Sequence, residues 1–300
     1  MRLVFFGTPA DAVPTLDALH AAGHDIALVV TQPDRRRGRG SALVPSPVRA
    51  RAEALGLAVR TPGRGREVVD DVRATGAELG VVVAFGQLLP PALLEAVPHG
   101  FVNVHFSLLP RWRGAAPVER AILAGDHETG VCIMELEAGL DTGPVYECVR
   151  TEIGADETAG ELRARLVGIG ADALLRVLPD VGVRTPAPQT GEPTYAEKLT
   201  VDEFRLDPQR SALDLARVVR AGNPRPGAWM TVAGTRVKVL RAHAEPTSGG
   251  EAGDIVRPGR LATAHGDLVL GEVQVEGKRS MAGEDWMNGQ RAQTLRVDGT

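Results

Sequence analysis

The residue types best suited to chemistry lie in one short stretch of this chain, residues 103–110, which reads NVHFSLLP. Asn103 and His105 are two positions apart on an apolar run, so on a β-strand both side chains point to one face. An Asp-Thr-Gly tripeptide follows later, beginning at Asp141. An amide can polarise a carbonyl, an imidazole can move a proton, and a carboxylate can orient the imidazole. Together these residue types favour acyl-group transfer.

Each of these residues also has a purely structural interpretation. His105 could be a core histidine, and Asp141 could stabilise its own turn. Burying two polar side chains on one strand face costs about 1–3 kcal/mol each unless they are paired. Open α/β sheets bind ligands at the carboxyl ends of their strands, which favours a functional role for Asn103 and His105. The spacing of Asp141 does not decide between the two interpretations.

Strands and helices alternate from the first residue. Continuous apolar runs at residues 3–6, 26–30 and 79–85 are typical of strands that are covered on both faces, and residues 101–106 are a further predicted strand, which bears Asn103 and His105. Helical patterns lie between or after them, beginning with a helix that Thr8 could cap. This alternation predicts an α/β fold with a doubly wound, mostly parallel sheet, in which the two strands that flank Asp141 could run antiparallel.

A change of pattern near residue 180 predicts a second domain. Residues 179–205 are rich in Pro, Gly and polar groups, and one helix and several short strands separated by Gly and Pro follow them. This arrangement is typical of a small β-barrel. We therefore expect a first domain over residues 1–183, a linker over 184–205 and a second domain over 206–300.

The charge distribution limits the possible partners. The net charge is −4, which excludes a uniformly basic coat for nucleic acid, although residues 206–300 carry 13 Lys and Arg against 11 Asp and Glu. The loop over residues 31–47 contains four closely spaced arginines, Arg35, Arg36, Arg37 and Arg39. Such a loop is either simply solvated or a phosphate-binding arm. No dinucleotide fingerprint, Walker loop, zinc-protease motif or metal-ligand cluster is present in the sequence.

The two cysteines and the apolar segments indicate the compartment. Cys132 and Cys148 belong to no CxxC or Cys/His cluster, so we expect buried free thiols in a reducing environment. The apolar run at the N-terminus is too short for a signal peptide, and no window approaches the roughly 18 apolar residues of a membrane span. The sequence predicts a cytoplasmic protein that does not bind a membrane.

Several segments are similar to the methionyl-tRNA formyltransferase family of folate-dependent formyltransferases. The matching segments are FFGTPADAVPTLDAL (5–19), TQPDRRRGRG (31–40), VVVAFGQLLP (81–90), NVHFSLLPRWRGAAPV (103–118), GLDTGPV (139–145), TYAEKL (194–199) and RAGNPRPGAW (220–229). The resemblance implies a formyltransferase catalytic domain over residues 1–183, followed after the linker by an OB-like tRNA-binding domain over 206–300.

The resemblance also implies a reaction and a set of site residues. The formyl group would move from 10-formyltetrahydrofolate, without a metal, to the amino group of initiator methionyl-tRNA for translation initiation, and we expect a monomer. Asn103 would donate to the formyl oxygen, His105 would shuttle the proton, and Asp141 would hold the tautomer of His105. The expected folate-binding residues are Ser107, Leu108, Leu109, Pro110, Phe85, Gly86 and Leu88. The expected tRNA-binding residues are Arg35, Arg36, Arg37 and Arg39.

Two departures and two alternatives accompany this resemblance. Phe106 stands where the family usually has a small residue, and Arg36 and Arg37 make their loop more basic than usual. A formyltransferase for a sugar nucleotide or a purine precursor would have the same catalytic set without needing the Arg-rich loop. A catalytically silent RNA-binding protein would need only the barrel.

Overall fold

The computed structural model describes residues 1–36, 43–247 and 250–299. It divides the chain into two compact units. The first unit comprises Met1–Pro117, Glu128–Glu152 and Arg163–Ala196, and the second comprises Val118–His127, Ile153–Leu162 and Glu197–Thr300.

The elements of both units are numbered in chain order. The strands are β1 Arg2–Gly7, β2 Asp25–Val30, β3 Arg35–Arg36, β4 Leu43–Val44, β5 Val59–Arg60, β6 Leu79–Val83, β7 Phe101–His105, β8 Arg113–Gly114, β9 Glu128–Glu135, β10 Val145–Glu152, β11 Tyr195–Ala196, β12 Ala228–Val232, β13 Thr235–Glu245, β14 Asp254–Val256, β15 Arg260–Ala262, β16 Asp267–Val275, β17 Met281–Ala282 and β18 Thr294–Arg296. The α-helices are α1 Val13–Ala21, α2 Pro47–Ala54, α3 Val69–Ala74, α4 Pro91–Leu94, α5 Pro117–Ala124, α6 Ala159–Val177, α7 Ala212–Gly222 and α8 Gly283–Asn288. Short 3₁₀ turns occupy Ala10–Ala12, Gly65–Val68, Leu178–Asp180 and Asp202–Phe204.

The first unit is built on a seven-stranded sheet with the order β10-β9-β7-β6-β1-β2-β5. Strands β1, β2, β5, β6 and β7 run parallel, while β9 is antiparallel to β7 and β10 is antiparallel to β9. Every residue of β6 is buried, as expected for a strand covered on both faces. The predicted doubly wound, mostly parallel sheet is confirmed, and so is the antiparallel pair that flanks Asp141.

Three buried aromatic rings pack together in the core of the first unit. The ring of Phe6 packs edge-on against Phe85, with centroids 5.2 Å apart, and against Phe101, with centroids 5.4 Å apart. All three rings are buried. Edge-to-face packing of this kind adds about 0.5–1.5 kcal/mol per pair to the free energy of burial. These contacts join β1, the residues just after β6, and β7.

Two local predictions were wrong. Thr8 does not cap a helix, because its hydroxyl donates to the carbonyl of Phe85 at 3.1 Å and α1 begins only at Val13. The cysteines are not free: Cys132 in β9 and Cys148 in β10 form a disulfide. The antiparallel register places these residues directly opposite each other, with Cα atoms 4.1 Å apart. Spacing along the chain could not indicate this cross-strand pairing.

The second unit contains a curled antiparallel sheet with the order β12-β13-β16-β15-β14-β18. A bridge between Val232, at the end of β12, and Val297, just after β18, connects the two ends of this order. Register shifts in the pairing of β13 with β16, on either side of Arg241, bend the sheet. Helix α7 is capped by Ser211, whose hydroxyl accepts from the backbone N–H of Asp214 at 3.1 Å. The predicted small barrel is confirmed.

Within residues 1–36, 43–247 and 250–299, no helix has the length and the apolar character needed to cross a bilayer.

Candidate active site

Strand β7 carries two of the candidate residues to the carboxyl edge of the parallel sheet. Asn103 and His105 alternate with buried valines, so their side chains share one face of the strand. Asn103 lies between Val82 of β6 and Met134 of β9, and His105 lies opposite Cys132 of β9. His105 is buried, at 5% exposure, whereas Asn103 is half-buried. Among the described residues, the carboxamide of Asn103 makes no hydrogen bond, so its donors are free to meet a ligand.

The imidazole of His105 lies between two acceptors. Its Nε2 is 2.9 Å from the backbone carbonyl oxygen of Trp112. A carbonyl can only accept, so Nε2 donates and the neutral ring has its lone pair on Nδ1. Nδ1 lies 3.7 Å from Oδ2 of Asp141, which is longer than a hydrogen bond. The ring is therefore oriented by the backbone carbonyl of Trp112, and the carboxylate of Asp141 does not hold its tautomer through a hydrogen bond as expected.

A backbone N–H group holds the side chain of Asp141 near the imidazole ring. Its Oδ2 accepts from the N–H of Gly114 at 2.7 Å, and the side chain is only 12% exposed. Both Asp141 and Trp112 have a positive φ, of 50° and 62° respectively. Non-glycine residues in this region are held there by their surroundings, at about 1–3 kcal/mol each, and they cluster at functional sites. The structure thus brings His105, Asp141 and the loop at Trp112 together.

The predicted folate segment follows β7 directly. Ser107 is fully buried and its hydroxyl donates to the carbonyl of Arg111 at 2.6 Å, so it closes the loop rather than facing outward. The backbone N–H of Leu109 donates to Sγ of Cys132 at 3.4 Å. Leu108 and Pro110 are half-buried. These contacts fix the backbone of the loop beside His105 and leave the side chains of Leu108 and Pro110 partly accessible.

The three predicted folate residues after β6 have different surroundings. The ring of Phe85 packs into the core, and its carbonyl accepts from Thr8 at 3.1 Å and from the amide of Gln32 at 2.7 Å. Gly86 has a φ of 78°, a conformation that favours glycine, and a Cβ there would lie 2.7 Å from Nε2 of Gln32, so that side chain would have to move. Leu88 is 72% exposed. Of these side chains, only that of Leu88 is accessible to a ligand.

The predicted tRNA loop is described only in part. Arg35 and Arg36 form β3, which pairs antiparallel with Leu43–Val44 of β4. Arg37 and Arg39 lie outside the described residues. Just before the loop, the carboxylate of Asp34 forms an ion pair with Arg49 at 2.8 Å.

A cavity of about 490 Å³ lies at the opposite end of β7, where the strand begins at Phe101. The hydroxyl of Tyr146 donates to the carboxylate of Glu135 at 2.6 Å beside this cavity, and burial raises the pKa of Tyr146. None of the candidate catalytic or folate residues lines it. Among the described residues, no group of three or more His, Cys, Asp and Glu is arranged to hold a metal ion.

Comparisons with known proteins identify the relatives of this chain. The profile described as "Formyl transferase" matches residues 1–178, and that described as "Formyl transferase, C-terminal domain" matches residues 198–291. The methionyl-tRNA formyltransferase of Dinoroseobacter shibae is 50% identical over 96% of this chain and 97% of its own length. That of Thermus thermophilus is 49% identical over 96% of both chains. The solved methionyl-tRNA formyltransferase from Clostridium thermocellum shares the fold, with a TM-score of 0.60 at 16% identity over 82% of this chain and 94% of that one.

Proposed function

The chain belongs to the formyl transferase family, and on that premise we propose that it moves the formyl group of 10-formyltetrahydrofolate to the amino group of initiator methionyl-tRNA. The product is N-formylmethionyl-tRNA, the starting aminoacyl-tRNA for translation. This proposal rests on one observation: about half of the residues, over nearly the whole chain, are identical to those of proteins named for that reaction.

The carboxyl edge of the sheet has the properties that a reduced folate requires. When bound, 10-formyltetrahydrofolate supplies the formyl carbon that the amine attacks. Leu88 is 72% exposed and Leu140, next to Asp141, is 48% exposed, so large apolar side chains are available to cover an aromatic ring system. The half-buried loop after His105 adds Leu108, Leu109 and Pro110. We assign these residues, with the backbone of Ser107, Phe85 and Gly86, to the folate site.

Asn103 is assigned to the formyl oxygen. Negative charge grows on this oxygen as the amine attacks, and a fixed N–H donor stabilises that charge more than it stabilises the ground state. The carboxamide of Asn103 makes no competing hydrogen bond within the described part of the chain. Removing one such donor from an acyl-transfer site raises the barrier by about 3–4 kcal/mol.

His105 is assigned to proton movement at Nδ1. Because Nε2 donates to Trp112, Nδ1 is the nitrogen that can accept the proton lost by the attacking amine. The imidazolium formed in this way lies 3.7 Å from the carboxylate of Asp141, which stabilises its charge. The same proton can then return to the departing nitrogen. In this assignment Asp141 acts as an electrostatic partner, and the Trp112 carbonyl sets the tautomer.

We assign Arg35, Arg36, Arg37 and Arg39 to the tRNA phosphates, because arginine pairs with phosphate in a bidentate manner and such contacts supply affinity without reading sequence. The proposed domain boundaries are residues 1–183 for catalysis, 184–205 for the linker and 206–300 for further tRNA contact. The protein is proposed to act in the cytoplasm as a monomer.

The test is formyl transfer by the purified protein. It is incubated with 10-formyltetrahydrofolate and, in separate reactions, initiator methionyl-tRNA, elongator methionyl-tRNA or a nucleotide-linked amino sugar. We expect formylated methionine on the initiator tRNA and none on the amino sugar. Transfer to the amino sugar alone would replace this proposal with the sugar-nucleotide alternative, and transfer to no acceptor would refute it.

A further inference from the structure

Gln189 lies in a Pro-rich and Thr-rich segment without periodicity, yet its carboxamide has all of its hydrogen-bonding capacity filled. Its Oε1 accepts from Nε of Arg113 at 3.1 Å and from Nη2 of the same residue at 2.7 Å. Its Nε2 donates to the backbone carbonyls of Asp141 at 2.9 Å and Gly143 at 2.8 Å. Two acceptor and two donor positions are the full complement of a carboxamide. Only Gln or Asn combines these functions, and Asn is one methylene shorter.

These four bonds join the two loops that surround His105. One loop carries Arg113 and Gly114, and the N–H of Gly114 donates to the carboxylate of Asp141 at 2.7 Å. The other loop carries Asp141 and Gly143. Gln189 therefore connects, through its side chain, the same loops that Asp141 connects through its carboxylate. A movement that carries Asp141 away from His105 would displace the two carbonyls that Gln189 joins to the guanidinium of Arg113.

The backbone of the 187–196 segment supports this connection at both ends. Ala187 exchanges two backbone hydrogen bonds with Val145, at 2.8 and 2.9 Å. Near the other end, the hydroxyl of Thr194 accepts from the N–H of Trp112 at 2.9 Å, and β11 pairs in parallel with β8. The backbone on both sides of Gln189 is therefore held in place by hydrogen bonds.

Asp141 needs such support. Its φ of 50° is unfavourable for a residue with a side chain, and its carboxylate is not hydrogen-bonded to the ring it faces. The carbonyls of Asp141 and Gly143 are the loop's own polar groups, and Gln189 donates to both. Because the interaction of Asp141 with the ring is one of charge over 3.7 Å, its strength depends directly on where the loop is held.

We infer that Gln189 is a positioning residue for catalysis, which sets the distance between the Asp141 carboxylate and the His105 imidazole. The inference rests on the proposed function, because it concerns the same site. Gln189 touches neither His105 nor the carboxylate, so it acts through the backbone of Asp141.

The test compares Gln189→Met with wild type and with Gln290→Met. Gln290 is a matched control, because its amide also donates to a backbone carbonyl, that of Trp286 at 3.1 Å, but far along the chain in the second unit. For Gln189→Met we expect kcat to fall about 10- to 100-fold with little change in KM for either substrate, as displaced catalytic groups produce. The control variant should retain wild-type kcat.

A double-mutant cycle with Asp141→Asn separates positioning from a general structural role. If Gln189 acts through the Asp141 charge, Gln189→Met should lower kcat much less in the Asp141→Asn background than in wild type. Equal losses in the two backgrounds would overturn the inference, and so would wild-type kcat in Gln189→Met or an effect confined to KM.

Two further measurements apply if Gln189→Met does not fold or if wild type proves inactive. Gln189→Glu retains the acceptors for Arg113 but turns a carboxylate oxygen toward the two carbonyls, so kcat should fall in a folded protein; unchanged kcat would overturn the inference. The ¹⁵N resonances of the His105 ring, assigned with His105→Asn, should move in either Gln189 variant. Unmoved resonances would refute the inference, while an inactive wild type would refute the proposed function separately.

Discussion

Replacing Asp141 by Asn tests whether the carboxylate acts through its charge. The structure makes this substitution unusually specific. The carboxamide oxygen of Asn can still accept from the N–H of Gly114, which lies 2.7 Å from Oδ2. Asn also tolerates the positive φ of 50° better than other residues with a side chain. The loop should therefore keep its conformation while it loses one negative charge.

The expected loss follows from the distance between the charges. At 3.7 Å and an effective dielectric constant of about 20, a unit charge pair interacts by about 4 kcal/mol. The imidazolium forms only as the proton is taken, so this energy is lost mainly from the transition state. We expect kcat to fall about 100- to 1000-fold, since the Asn dipole replaces part of the interaction.

The assay is steady-state formyl transfer to methionyl-tRNA, with kcat and both KM values measured. Asp70→Asn serves as the control. The side chain of Asp70 is 99% exposed, and within the described part of the chain its one ion pair is with Arg73, at 3.6 Å. Both KM values should change by less than about threefold in Asp141→Asn. A kcat within about threefold of wild type would refute the electrostatic role of Asp141.

Three other predictions follow from the same structure. Asn103→Ala should lower kcat about 100- to 1000-fold without loss of folate binding, measured by transfer rate and by equilibrium titration, whereas unchanged kcat would remove Asn103 from the site. The pKa of Glu161 is lowered to about 2, mainly because its carboxylate accepts a hydrogen bond from Arg241. The ionised carboxylate therefore stabilises the fold fully above a pH of about 4.5, and this stabilisation is lost as the pH falls toward 2. Glu161→Gln should therefore lower the free energy of unfolding, measured with urea at pH 7, by about 1 kcal/mol, a small value because the group is largely exposed. The difference from wild type should shrink at pH 2.5, and a difference that does not depend on pH would contradict this. Replacing Arg37 and Arg39 together by Ala should weaken tRNA-dependent turnover and reduce its salt sensitivity while folate binding persists, and an unchanged salt dependence would exclude these arginines from tRNA contact.

The sequence was sufficient for the parts of the fold that depend on local pattern. Runs such as that of β6 are apolar at every position because both faces of the strand are covered, and such runs can be located without a structure. The same reasoning places Asn103 and His105 on one face, since alternation is a property of the strand itself. The antiparallel pair around Asp141 followed from the short connection between its strands.

Features that depend on register or on backbone groups could not be predicted in this way. The Cys132–Cys148 disulfide exists because β9 and β10 align those two positions, and a shift of the register by one residue would separate them. The acceptor for His105 is a carbonyl at Trp112, and a carbonyl is present at every residue. Gln189 lies in a segment whose composition predicts only a loop, and its importance comes from the four bonds it makes after folding.

The most direct test of the catalytic assignment is single-turnover formyl transfer by His105→Asn with both substrates saturating, alongside folate binding in the same preparation. We expect a rate about 100- to 10,000-fold below wild type, which is the range that a positioned acid–base group contributes, with unchanged affinity for the folate. Transfer at the wild-type rate would contradict the central claim that the imidazole at the end of β7 moves the proton.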